Sequence, residues 1–181
     1  MSESTSDKQE FIRALAESEG KTGARSVLVV DDEPTVRRMV SRSMKGLDKD
    51  LKVHEAENGQ EALDRLAEIR ESEGADPALI VTDLQMPVMD GWEFIDQLWK
   101  QCQEKGRKFG IPVIVLSGSS GQKGVLFGKS VHGDKCKYSP IVTIAKEECI
   151  KPAKYNMQGE KGLVAWLQYF LSSAGDKGMQ S

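Results

Sequence analysis

The chain has 181 residues, a formal net charge of −3 and three cysteines. That length suits one domain with extensions, large enough to bury a core without staples. Cys102, Cys136 and Cys149 are widely spaced and form no C-x-x-C pair, so neither a disulfide framework nor a zinc site is expected; they read as reduced thiols of a cytoplasmic protein. The start, "MSESTSDKQE", has no basic head or apolar run, so no signal peptide is expected. The patch "GLVAWLQYFL" is too short to cross a bilayer, so no membrane insertion is expected.

In chain order, residues 1–24 form a polar arm in which Phe11, Ile12 and Leu15 could stripe a short helix. "SVLVV" then reads as a buried strand ending in acids. "PTVRRMVSRSMK" reads as a helix with Pro34 in its first turn and Val36, Met39, Val40 and Met44 inward. "LKVHEA" is a second strand. "GQEALDRLAEIR" is a helix with Ala62, Leu63, Leu66 and Ile69 inward. "ALIVTD" is a third strand. "GWEFIDQLWKQC" is a helix with Trp92, Ile95, Leu98, Trp99 and Cys102 on one side. "IPVIVLS" is a fourth strand, "EECIK" the expected fifth, and "EKGLVAWLQYFLSS" a last helix. Continuous apolar strands alternating with helices imply a parallel sheet covered on both faces.

Charge is unevenly placed along this order. Residues 1–99 hold 12 Lys+Arg against 22 Asp+Glu, a balance of −10; residues 100–154 hold 11 against 4, a balance of +7. Such asymmetry suits a charged site or a charged partner surface, or plain solvated faces. No helix-turn-helix or basic helix stands out, so nucleic acid is not an expected partner.

The chemistry sits at strand ends. The first strand ends in Asp31, Asp32 and Glu33, the third in Asp83 and the expected fifth in Lys151. Carboxyl ends of strands line the binding crevice of an open parallel sheet. Two unit charges about 4 Å apart repel by roughly 4 kcal/mol at an effective dielectric near 20, so such a cluster needs a cation. Oxygen ligands with room for water suit magnesium. Singly, each acid reads as a helix cap; as a set with a strand-end hydroxyl and lysine they form one ring.

The blocks "VLVVDDEPTVRRMV", "VTDLQMPVMDGWEF", "PVIVLSG" and "CIKPA", in this order, resemble the receiver domain of two-component response regulators. The resemblance implies a flavodoxin-like, doubly wound α/β fold with a five-stranded parallel sheet in the order 2-1-3-4-5. It places the receiver over residues 25–173, with an atypical segment at 118–146 and a tail at 174–181. It implies that Asp83 accepts a phosphoryl group from a sensor histidine kinase or histidine phosphotransfer protein. Asp31, Asp32, Asp83 and the backbone carbonyl of Gln85 would hold Mg2+. Lys151 would pair with phosphoryl oxygens, Ser117 would be the switch hydroxyl, and Gly118 would leave the space beside it open. Met86, Pro87 and Gly91 would shape the turn after Asp83, and Glu33 would either support the metal site or cap the first helix.

Two departures stand out. Receivers usually carry an aromatic residue three places before the lysine; counted from Lys151 that place is Glu148, with Tyr138 a nearby substitute. The interval from Ser117 to Lys151 is also longer than usual, and "SPIVTIAK" reads either as a remnant of the fourth helix or as chain running extended into the fifth strand. A rebuilt output face implies an unusual downstream partner or an unusual homodimer.

These features leave a phosphorylatable stand-alone receiver without its own catalytic output, and, as the alternative, a phosphorylation-independent interaction module. A nucleotide-binding loop at "SSGQKGVLFGKS" fails on spacing: G-x-x-x-x-G-K-[ST] needs four intervening residues, whereas Gly124 to Gly128 leaves three and Gly121 to Gly128 six. His54 and His132 are isolated and suggest no metal pair.

Overall fold

In a computed structural model of the chain, the residues described are Arg13, 26–118, 125–127, 137–139 and 141–146. The described elements are β1 (Ser26–Val30), α1 (Pro34–Leu47), β2 (Lys52–Ala56), α2 (Gly59–Glu73), β3 (Leu79–Asp83), α3 (Gly91–Glu104), β4 (Val113–Ser117), β5 (Val125–Phe127) and β6 (Ile141–Ala145).

Five strands run parallel, and a sixth closes one side, in the order β2-β1-β3-β4-β6-β5. This is the flavodoxin-like order expected for the five parallel strands. Both faces of the central strands are covered, which explains their unbroken apolar runs. Val27, Val29, Val81, Ile114, Leu116, Val142 and Ile144 pack with Val36, Val40 and Met44 of α1. Leu28, Val30, Ile80, Val113 and Val115 point the other way, toward Ala62 and Leu66 of α2 and Phe94, Ile95 and Leu98 of α3. One correction falls on α3: the fully buried aromatic is Phe94, whereas Trp92 in the first turn is 39% exposed.

Local chemistry explains where the helices start. Pro34 stands at the start of α1, where its missing N–H costs nothing. Asn58 caps α2 by accepting from the Glu61 N–H at 2.9 Å. Asp90 and Glu93 form a reciprocal capping box at α3, with bonds of 2.9 and 3.2 Å.

The fifth parallel strand differs from the expected one. The strand bonded to β4 is Ile141–Ala145, in register Val113↔Ile141 through Ser117↔Ala145. "SPIVTIAK" therefore holds the strand itself and not a helix remnant, and "EECIK" comes after it in the chain. The β-branched run Ile141, Val142, Thr143, Ile144 fits a buried pleated surface, and all four are buried. β5, from the glycine-rich stretch, pairs antiparallel with β6.

Candidate functional site

The carboxyl ends of β1, β3 and β6 meet at one rim. Asp31 follows β1 directly and is fully buried; Asp83 ends β3 and is 5% exposed; Asp32 is exposed. One ligand oxygen from each of these three lies within 4.8 Å of the others. At this rim sits Lys146, the residue after β6. Its ammonium donates to Asp83 Oδ2 at 3.0 Å, lies 3.0 Å from Asp31 Oδ2 and 3.7 Å from Glu33 Oε1. Among the described residues this is the lysine that the acids face. Lys146 thus stands at this rim, where a strand-end lysine was expected; Lys151 lies outside the described residues, as do Glu148 and His132.

The reason is visible in the chain. Two segments end in a lysine, "IVTIAK" and "EECIK", of which the second was the expected fifth strand. The first is richer in β-branched residues, which is the physical signal for a buried strand.

Both oxygens of Asp83 are held. Oδ1 accepts from the Leu84 N–H at 2.8 Å and Oδ2 from Lys146. Gly91 lets α3 start directly against this strand end: a Cβ there would collide with the Asp83 carbonyl oxygen and Leu84 Cα. Between them, Met86 is buried, and Val88 takes a left-handed φ of 69° while 83% exposed, a conformation that β-branched residues rarely adopt.

The two oxygens of Asp31 are held differently. Oδ1 accepts from the Glu33 N–H at 2.9 Å. Oδ2 is buried and, although close to Lys146, has no aligned hydrogen-bond donor. Burial pushes the Asp31 pKa up, against the pull of the Glu33 N–H and of Lys146. Burial of Lys146 works against its charge, but Asp83 and Asp31 outweigh it and hold its pKa above the usual lysine value. Glu33 occupies the N-cap position of α1, but its side chain makes no capping bond and its carboxylate lies instead near Lys146 in the acid cluster.

This donor set fits a hard divalent cation. It offers three carboxylates, one buried oxygen without an aligned donor, and one ammonium as the cation nearby.

Ser117 ends β4 opposite Ala145, and a Cβ built on Gly118 meets nothing within 4 Å. Counted from Lys146, the place usually held by an aromatic residue is Thr143, 4% exposed. Tyr138 does not substitute for it. Its hydroxyl donates to the Ile111 carbonyl at 2.7 Å, before β4 begins, at the rim opposite Asp83. His54 pairs with Glu73 at 3.2 Å. Burial pushes the Cys102 thiol pKa up, and Cys136 and Cys149 lie outside the described residues. No described helix is long and apolar enough to cross a membrane.

A doubly wound parallel sheet carrying an acid cluster and a lysine at its carboxyl rim defines the class: a flavodoxin-like α/β protein with an acidic centre. The family model for the response regulator receiver domain matches residues 27–134, and the chain belongs to that family. It is 37% identical over 92 residues to the response regulator Rre1 of Synechocystis, covering 51% of this chain and 35% of that protein. It is 32% identical over 100 residues to the chemotaxis protein CheY1 of Helicobacter pylori, covering 55% and 73%. The chain spans between 24% and 35% of the length of the first curated relatives it matches. Among solved structures, the receiver domain of the histidine kinase CKI1 from Arabidopsis thaliana, complexed with Mg2+ and BeF3−, shares the fold. It has a TM-score of 0.55 at 22% identity, over 90% of this chain and 97% of that one.

Proposed function

We propose that this receiver accepts a phosphoryl group on Asp83 from a histidine kinase or a histidine phosphotransfer protein, and signals by changing the face it offers to a partner. The observation that carries this reading is the Lys146 ammonium 3.0 Å from both Asp83 Oδ2 and Asp31 Oδ2. A carboxylate oxygen of Asp83 attacks phosphorus, the phosphorus–nitrogen bond to the donor imidazole breaks, and its electron pair leaves with the nitrogen. Lys146 orients Asp83 before attack and pairs with phosphoryl oxygens afterward.

Asp31, Asp32, Asp83 and the backbone carbonyl of Gln85 would hold Mg2+, which when bound neutralises charge on the transferring group. The phosphoryl group carries roughly −1.5 to −2 charges. Ser117 donates a hydrogen bond to it, drawing in the loop that begins at Gly118.

Thr143 favours a second reading for the output step. With a threonine in the aromatic position, the switch does not run through an aromatic ring, and a module that works without phosphorylation stays compatible with the fold. The deciding experiment treats the wild type and Asp83→Asn with magnesium and a small acyl phosphate, then reads intact mass. Addition of one phosphoryl group to the wild type alone supports phosphorylation. No addition, from that donor or from histidine kinases, shifts the weight to the second reading.

A further inference from the structure

Arg37 lies on the buried side of α1, 8% exposed. A guanidinium there costs desolvation and needs partners. Its Nη1 donates to the backbone carbonyl of Asp31 at 2.6 Å. Its Nη2 donates to Glu57 Oε1 at 3.3 Å, and its Nε lies 3.7 Å from Glu55 Oε2. Glu55 is itself held by the Ser41 hydroxyl at 2.6 Å.

Asp31 is thereby held through its main chain as well as its side chain. Its N–H donates to the Ala56 carbonyl at 3.2 Å, its carbonyl accepts from Arg37, and its Oδ1 accepts from Glu33. Its Oδ2 lies 3.0 Å from Lys146, the lysine shared with Asp83. The Arg37 charge is drawn outward by Glu55 and Glu57 at the exit of β2, so it binds the Asp31 main chain without standing as an uncompensated cation beside the site.

We propose that Arg37 is a positioning residue for the metal centre, setting its cation affinity by pinning the Asp31 peptide so that Oδ2 faces Asp32 and Asp83. The inference rests on the reading of this cluster as a magnesium site. Groups behind metal ligands commonly change affinity by about 10–100-fold.

Two roles for Arg37 predict opposite signs. A positioning residue, once removed, weakens cation binding. A residue acting only as a nearby positive charge, once removed, tightens it.

The test is magnesium titration of the wild type, Arg37→Ala and Arg37→Lys, followed by tryptophan fluorescence, with manganese binding by electron paramagnetic resonance as the second readout. All are measured below each protein's unfolding transition, so that loss of fold does not enter. The expected result is a Kd raised about tenfold or more in Arg37→Ala. Arg37→Lys should not restore it, because one ammonium lacks the fork that reaches both the Asp31 carbonyl and Glu57. If Arg37→Ala does not fold, the Arg37→Lys result decides alone. An unchanged or tighter Kd in the folded variants overturns the positioning role while leaving the magnesium site standing. A wild type that binds neither ion overturns the magnesium reading, and this inference with it.

Discussion

The two rims of the sheet both carry acids shielded from solvent, and they solve the charge problem in opposite ways. At the rim where the strands begin, each oxygen of Asp76 has its own guanidinium, Oδ1 from Arg70 and Oδ2 from Arg107. Burial alone would raise the pKa of Asp76, but the two arginines outweigh it and hold it below the usual carboxylate value. At the rim where the strands end, Asp31, Asp83 and Glu33 share one lysine, and the pKa of Asp31 stands above the usual value. One acid with two cations is a finished structural joint. Three acids with one cation form a centre that is short of positive charge and therefore receptive to a metal ion.

The largest effect expected from breaking this contrast is at Asp83. Asp83→Asn should abolish phosphorylation outright, read as no mass gain with a small phosphodonor. Next comes the lysine. Lys146→Ala removes the cation that the cluster has and should slow phosphorylation about 10²–10³-fold. Lys151→Ala should leave the rate essentially unchanged; the reverse ranking would return the role to Lys151.

At the opposite rim the effect is on stability instead. Asp76→Ala leaves two guanidiniums without their acceptor and should cost about 1–3 kcal/mol in urea unfolding, with phosphorylation of the folded protein intact. Because the pKa of Asp76 is depressed, its contribution is present above the unfolded carboxylate value and is lost as pH falls through the folded one.

The smallest effect has the opposite sign. Since the pKa of Asp31 is raised, ionising it in the metal-free protein opposes folding. Asp31→Asn should therefore raise the melting temperature in chelator-treated buffer, by roughly 2–4 °C for each 1 kcal/mol relieved in a domain of this size. That gain should be largest near neutral pH and vanish below about pH 4, where the unfolded carboxyl is protonated too.

How much of this could be read beforehand followed from how local each signal is. Asp31, Asp32 and Asp83 were legible because each ends a short apolar run, so strand and site are announced together. Lys146 was not, because its segment read either as a helix remnant or as extended chain, and only pairing with β4 chose between them. Phe94 and Trp92 exchanged roles because the first turn of α3 lies at the rim, where its side chains run out of sheet to cover. Arg37 gave no signal: an arginine in an amphipathic helix reads as solvent-facing unless its partners from β1 and β2 are known. β5 was hidden by its length, three residues within a run of glycine, lysine and serine.

β5 also bears on how the strand before Lys146 is mounted. By bonding along the outer side of β6, in register Val125↔Ile144 to Phe127↔Val142, it makes the strand bearing Lys146 a stave clamped between two neighbours. The pairing with β5 reaches Ile144, two residues before the lysine, and that with β4 reaches Ala145, one residue before it. A phosphoryl group placed on Asp83, as proposed, would meet a lysine that follows a strand held by two neighbours.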